Sequence, residues 1–221
     1  MFVKLFDRPF TRLFYKESEW WKIIPPVIAY QPRGASSLAA SYSNLVNPGT
    51  YDAALGVAPT WNTTNGWIFN GSTQYLNTGF LPDTNTTIII RYSNLASVAS
   101  DQYIFGEKKG TTNRIWIIVT SNLASTTYSW SNKGTDDATA SPTSAIRAIN
   151  KNHGYYNGAE VIDYSSTPAA ITESLNTYIG CYNNLGSPAG YTNFYVQAFA
   201  IYNQTLTTAQ LLEISNAMEA I

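Results

Sequence analysis

Gly66-Trp67-Ile68-Phe69-Asn70-Gly71-Ser72-Thr73-Gln74-Tyr75-Leu76 is the stretch on which the fold turns. Trp67 and Phe69 alternate with Ile68, and Tyr75-Leu76 resumes an extended run after Asn70-Gly71. Asn and Gly both tolerate the positive φ of a type I′ turn, so the pattern predicts a hairpin of two short aromatic strands. The inner face of the sheet is then filled by large rings. Function has to come from what surrounds this stretch.

The 221 residues, 44% of them apolar and 14% aromatic, are enough for one all-β domain of about 190 residues with a sizeable core. Charged residues make up only 12%, whereas Ser, Thr and Asn number 20, 25 and 20. Such a set suits the wet face of strands, or an extracellular or virion surface kept soluble without charge. A net charge of −1 argues against nucleic acid as the main partner, since phosphate neutralisation needs clustered Lys and Arg. The single cysteine, Cys181, excludes an intramolecular disulfide and a Cys-based zinc site, and the single histidine, His153, excludes a His-rich one. No apolar run is long enough to span a membrane. No signal peptide is expected, because Lys4, Asp7 and Arg8 interrupt the N-terminal apolar residues.

Residues 1–24 differ from the rest. Lys4, Arg8, Arg12 and Lys16 recur every four residues, and Phe2, Phe6, Phe10 and Phe14 do the same on an adjacent stripe. That spacing gives one basic and one aromatic helical face, with Pro9 at a first turn. Trp20 and Trp21 extend the apolar side, and Pro25-Pro26 ends it. Three fates are open to this arm: lying on a membrane surface, docking into a partner's groove with its aromatics as anchors, or packing back on its own domain. Docking is the expectation, through Phe2, Phe6, Phe10, Phe14, Arg8, Arg12, Trp20 and Trp21.

Further along, Thr86–Tyr92 reads as a central strand, being rich in β-branched residues. Short strands follow at 103–105, 114–120, 126–130, 145–149, 154–156, 159–162 and 177–179, with a long one over 193–202. Asn157-Gly158 is a second hairpin signal. The stretch 34–45 is open between helix and strand. One helix is well marked: Thr207 can cap 208–217, and Gln210 completes a capping box. Many short strands with regular turns predict an all-β fold, a two-sheet antiparallel jelly-roll sandwich with a short C-terminal helix and an N-terminal helical arm.

Four stretches carry a resemblance. Gly66–Leu76 is similar to the W-x-F-x-G-x-x-x-Y-L block of laminin G-like, concanavalin A-like domains. Gly154–Val161 resembles their Y-x-D/N-G-x-x-V hairpin, and Tyr178-Ile179-Gly180 their IG strand. Ile201-Tyr202-Asn203 with Leu206-Thr207 resembles their closing strand and helix entry. The blocks follow the family's order over about residues 35–221, which sets the expected boundary: arm and linker 1–34, jelly roll 35–221. The resemblance implies a two-sheet jelly roll of a kind that binds sugars, binds proteins or hydrolyses β-glucans. Its composition looks like the versions found among phage structural proteins.

Catalysis is not expected. Glucanases of the resembled family carry Glu-x-Asp-x-(x)-Glu on one strand, which is lacking here; Glu160 and Asp163, three apart, are expected on opposite faces of a strand. Nucleophilic triads lack support as well. No cofactor and no metal site is expected, although Asp83-Thr84-Asn85, Asp101 and Asp136-Asp137 offer oxygens to calcium. For sugar stacking the candidates are Tyr128 and Trp130 on one strand face, Asn132 and Asp136 in the loop after it, and Trp116 on the preceding strand. The expectation is a non-catalytic structural or adhesion module on a virion surface, docked through its arm and binding glycans weakly. A free-standing carbohydrate-binding module is the alternative, and a β-glucanase a distant third.

Overall fold

The computed structural model describes residues 19–164 and 169–221. Two sheets stack face to face. The first runs, strand by neighbouring strand, Ala159–Asp163, His153–Tyr156, Ala145–Asn150, Thr87–Ser93, Asn193–Tyr202, Gly66–Asn70 and Thr60–Asn62. Ile28–Tyr30 completes it by pairing with the C-terminal half of Asn193–Tyr202. The second sheet runs Lys133–Asp137, Thr126–Trp130, Arg114–Val119, Gln102–Lys108, Tyr178–Ile179, Tyr75–Asn77 and Ala54–Val57. Tyr182–Asn184 adds to Gln102–Lys108 in parallel and pairs with Ser187–Ala189. The other described pairings are antiparallel, so this is the expected all-β sandwich of jelly-roll type.

Strand alternation fills the interior. Ile88, Ile90 and Tyr92 from one sheet meet Ile115, Ile117 and Val119 from the other, with Trp67, Phe69, Phe105, Phe194 and Phe199 packed among them. Large rings suit a gap of about 10 Å between sheets. A buried ion pair also joins the sheets: Arg147 Nη1 lies 3.1 Å from Asp137 Oδ2 and donates to the Tyr128 hydroxyl at 2.7 Å. Burial works against the Asp137 carboxylate, but hydrogen bonds from Thr139 and Arg147 outweigh it and hold its pKa below the ordinary value.

The two Asn-Gly pairs behave differently. Asn157 and Gly158 have φ of 47° and 79°, and Tyr156 pairs with Ala159 across them, the expected hairpin. Asn70-Gly71 does not close a hairpin. Gly66–Asn70 belongs to the first sheet and Tyr75–Asn77 to the second, so this turn carries the chain across the sandwich. The Asn70 side chain accepts hydrogen bonds from the backbone N–H of Ser72, Thr73 and Gln74. It therefore caps a wider loop in place of a two-residue turn.

The outer face of the first sheet is covered. Helix Thr208–Glu219 starts with the expected capping box, Thr207 with Gln210, and lays Leu211, Ile214 and Met218 over Ile89, Ile146, Ala148, Ala198 and Ala200. Arg91 caps its far end, donating to the carbonyls of Met218 and Ile221 at 2.6 Å each. Trp20 completes this cover. It is 1% exposed, packs with the same cluster and donates from Nε1 to Gln31 Oε1 at 2.9 Å.

Two expectations change here. Trp20 is no partner anchor, because strand Ile28–Tyr30 draws the preceding residues onto the domain's own sheet. For the same reason the boundary at 34/35 falls inside the fold. Phe2, Phe6, Arg8, Phe10, Arg12 and Phe14 lie outside the described residues. The undecided stretch 34–45 holds a single helical turn, Leu38–Ser41.

Candidate functional site

The second sheet also has an outer face, and it is aromatic. Cross-strand register sets which side chains share it: Ser129, Trp116, Gly106, Tyr178 and Asn77 form one row, and Tyr103 stands opposite Ile118 in the next. Trp116 sits at the centre. The Tyr103 and Tyr182 rings each lie 5.3 Å from it, and 4.2 Å from each other. A second ring group adjoins them, with Tyr75 4.9 Å from Tyr178 and 6.5 Å from Tyr191. Tyr75, Tyr103, Tyr182 and Tyr191 keep part of their surface in solvent.

Two cations flank the central ring. The Arg114 guanidinium carbon lies 5.2 Å from the Trp116 centroid and Lys108 Nζ 5.9 Å, both within cation–π range. Neither forms an ion pair among the described residues. Trp116 is 6% exposed, and Trp116 Nε1 and Arg114 Nε are buried donors without a partner there, closed to solvent at a cost in free energy. Burial raises the pKa of Tyr103, Tyr178 and Tyr191, so these phenols stay protonated and can donate. The rings are held firmly from below. A Cβ on Gly190 would come within 2.2 Å of the Tyr103 ring, and one on Gly106 within 2.5 Å of Trp116 Cβ. Only glycine lets the rings lie this close to backbone.

The sequence-based sugar candidates divide on this geometry. Trp116 and Asp136 share the outer face; Asp136 is exposed and accepts from the Thr127 hydroxyl. Asp136 lies on strand Lys133–Asp137, not in a loop. Tyr128 and Trp130 are corrected: both are 0% exposed, because they pair with Ile117 and Ile115 and so point inward. Tyr128 spends its hydroxyl on the Tyr155 carbonyl, 3.0 Å away. Asn132 sits in the turn beyond Trp130 and accepts from the Ala169 N–H at 3.1 Å. Trp21 stays half-exposed beside Trp20.

Sequence reasoning missed Tyr75, Tyr103, Tyr178, Tyr182, Tyr191, Lys108 and Arg114. One signal was present in Arg114–Val119, where Ile115, Ile117 and Val119 share a parity that Arg114, Trp116 and Ile118 oppose. The tyrosines gather from five separate segments, which only the topology brings together.

No protein-family model matches the chain, and no curated protein matches it. Solved structures are similar in fold. A mutant of Trypanosoma rangeli sialidase displaying trans-sialidase activity aligns over 86% of this chain and 33% of its own, at 15% identity and a TM-score of 0.53. The K499G mutant of NanB sialidase from Streptococcus pneumoniae aligns over 66% and 26%, at 12% identity and 0.51. The Ruminococcus gnavus IT-sialidase CBM40 bound to alpha2,3 sialyllactose aligns over 59% and 82%, at 16% identity and 0.48. The chain thus spans a quarter to a third of the two longer sialidase chains. No helix among the described residues is long and apolar enough to cross a membrane.

Proposed function

We propose that this protein is a non-catalytic glycan-binding module whose site is the open aromatic face of the second sheet. The observation that carries this is the assembly of Tyr103, Trp116 and Tyr182 between Arg114 and Lys108. Pyranose C–H faces stack on such rings while hydroxyls take up phenol and N–H donors. The two cations favour sugars that carry a carboxylate or sulfate over neutral ones. The sandwich is shared with sialidase chains, and that likeness reaches the fold only. Attachment to a phage particle through residues 1–24, and a specifically laminin G-like ancestry, gain no support from the described residues or the similar structures.

The test is a glycan array probed with the full chain, followed by calorimetry on any hit. Acidic glycans are expected to bind better than their neutral counterparts. Tyr182→Ala and Arg114→Ala should each weaken binding about tenfold, equivalent to about 1.4 kcal/mol. A blank array, or equal binding by both variants, would overturn the proposal. Hydrolysis of any bound glycan would overturn its non-catalytic part.

A further inference from the structure

The edge hairpin of the first sheet, His153–Tyr156 with Ala159–Asp163, carries a cluster that its spacing conceals. In a regular strand Glu160 and Asp163 would point to opposite faces. Here Tyr155 pairs with Glu160 but Gly154 pairs with Ile162, so Val161 is an extra residue. This β-bulge turns the strand by one position. Glu160 and Asp163 then share a face with His153, the chain's single histidine.

His153 Nδ1 lies 3.1 Å from Glu160 Oε1 and 3.6 Å from Asp163 Oδ1. All three ligand atoms lie within 4.8 Å of one another. Zinc bonds of about 2.0–2.1 Å at tetrahedral angles place neighbouring ligand atoms about 3.3 Å apart, so two of the three separations already suit a shared ion. The side chains are 28%, 33% and 63% exposed, which leaves an entry path and room for water in the remaining positions. Imidazole nitrogen with two carboxylates selects the zinc class over calcium, which takes six to eight oxygens. An outer partner is present too. The Tyr155 hydroxyl lies 3.5 Å from Glu160 Oε2 and 3.3 Å from Thr208 Oγ1 at the start of the C-terminal helix.

We propose that His153, Glu160 and Asp163 bind one divalent transition-metal ion of the zinc class, clamping the edge hairpin beneath the covering helix. This site is separate from the glycan face, which belongs to the other sheet.

The experiment titrates zinc chloride into the untagged full chain, following heat of binding and thermal unfolding. Saturable binding of one ion per chain is expected. The unfolding midpoint should rise with zinc concentration, as it does for any ligand held by the native state alone, and EDTA should reverse the rise. His153→Ala and Asp163→Asn should each abolish the saturable binding. Should His153→Ala fail to fold, Asp163→Asn and the visible absorption of the cobalt-substituted protein decide the matter. Zinc that gives no saturable heat and no midpoint shift, or that binds Asp163→Asn as tightly as the unaltered chain, overturns the proposal.

Discussion

The outer face of the first sheet presents Ala148, Ala198 and Ala200 with Ile89 and Ile146, and a helix lies on it. The outer face of the second presents six aromatic rings with Arg114 and Lys108 around the central one. Small residues let a helix backbone approach a sheet, and the helix then removes the apolar surface from water. Rings of full height occupy that space themselves, and Tyr75, Tyr103, Tyr182 and Tyr191 keep part of their surface in solvent. The difference teaches how to read aromatic content in this sandwich. Trp67 and Phe69 between the sheets hold the fold; Tyr103 and Tyr182 outside it are free to meet a ligand.

The contrast can be broken most sharply at the covered face. Leu211→Ala should cost about 3 kcal/mol by the usual penalty for truncating a buried leucine, read by denaturant unfolding, with glycan affinity unchanged. A loss of affinity in this variant would mean the two faces are coupled.

Next comes Glu107, which lies beneath the open face and points inward between the sheets. It is 0% exposed; burial raises its pKa from 4.5 to about 8, although a hydrogen bond from the Leu175 N–H opposes this. Its folded pKa exceeds the unfolded value, so the folded state holds a proton that the unfolded chain releases. The contribution of this group to stability is therefore greatest below about pH 4.5 and is lost as pH rises toward about 8. Glu107→Gln should remove that fall and be more stable than the unaltered chain at pH 8. Thermal unfolding at pH 5 and pH 8 checks it; equal pH profiles would show that Glu107 ionises without penalty.

A smaller effect is expected from the helix cap. Thr207→Ala removes the side chain that accepts from the Gln210 N–H and should cost about 1 kcal/mol, again without touching affinity. Smallest in stability is Arg114→Ala on the open face. Its unfolding free energy should stay within about 0.5 kcal/mol of the unaltered chain while its affinity for acidic glycans drops. A large destabilisation there would make Arg114 a support of the Trp116 ring instead of a ligand contact.

Much of this was legible in the chain. Strands over Thr126–Trp130 and Asn193–Tyr202, and a helix begun by a Thr207–Gln210 capping box, follow from local patterning. The strands Thr60–Asn62 and Lys133–Asp137 were not, being short, polar and stabilised only by their neighbours. Tyr128 and Trp130 look like a surface pair beside Asn132. Register against Ile117 and Ile115 buries them, and register is a property of the sheet.

What the sequence determined by itself is the class of fold, the Asn157-Gly158 hairpin and the C-terminal helix, because alternation, positive-φ turns and caps act within a few residues. Tertiary structure alone decided the rest. It made Asn70-Gly71 a passage between sheets, placed Trp20 on its own domain, and gathered tyrosines from five segments onto one face. It also used one bulge at Val161 to bring Glu160 and Asp163 to His153. Each of these depends on which strand lies beside which, and pairing between distant segments is fixed by the packing of the whole sandwich.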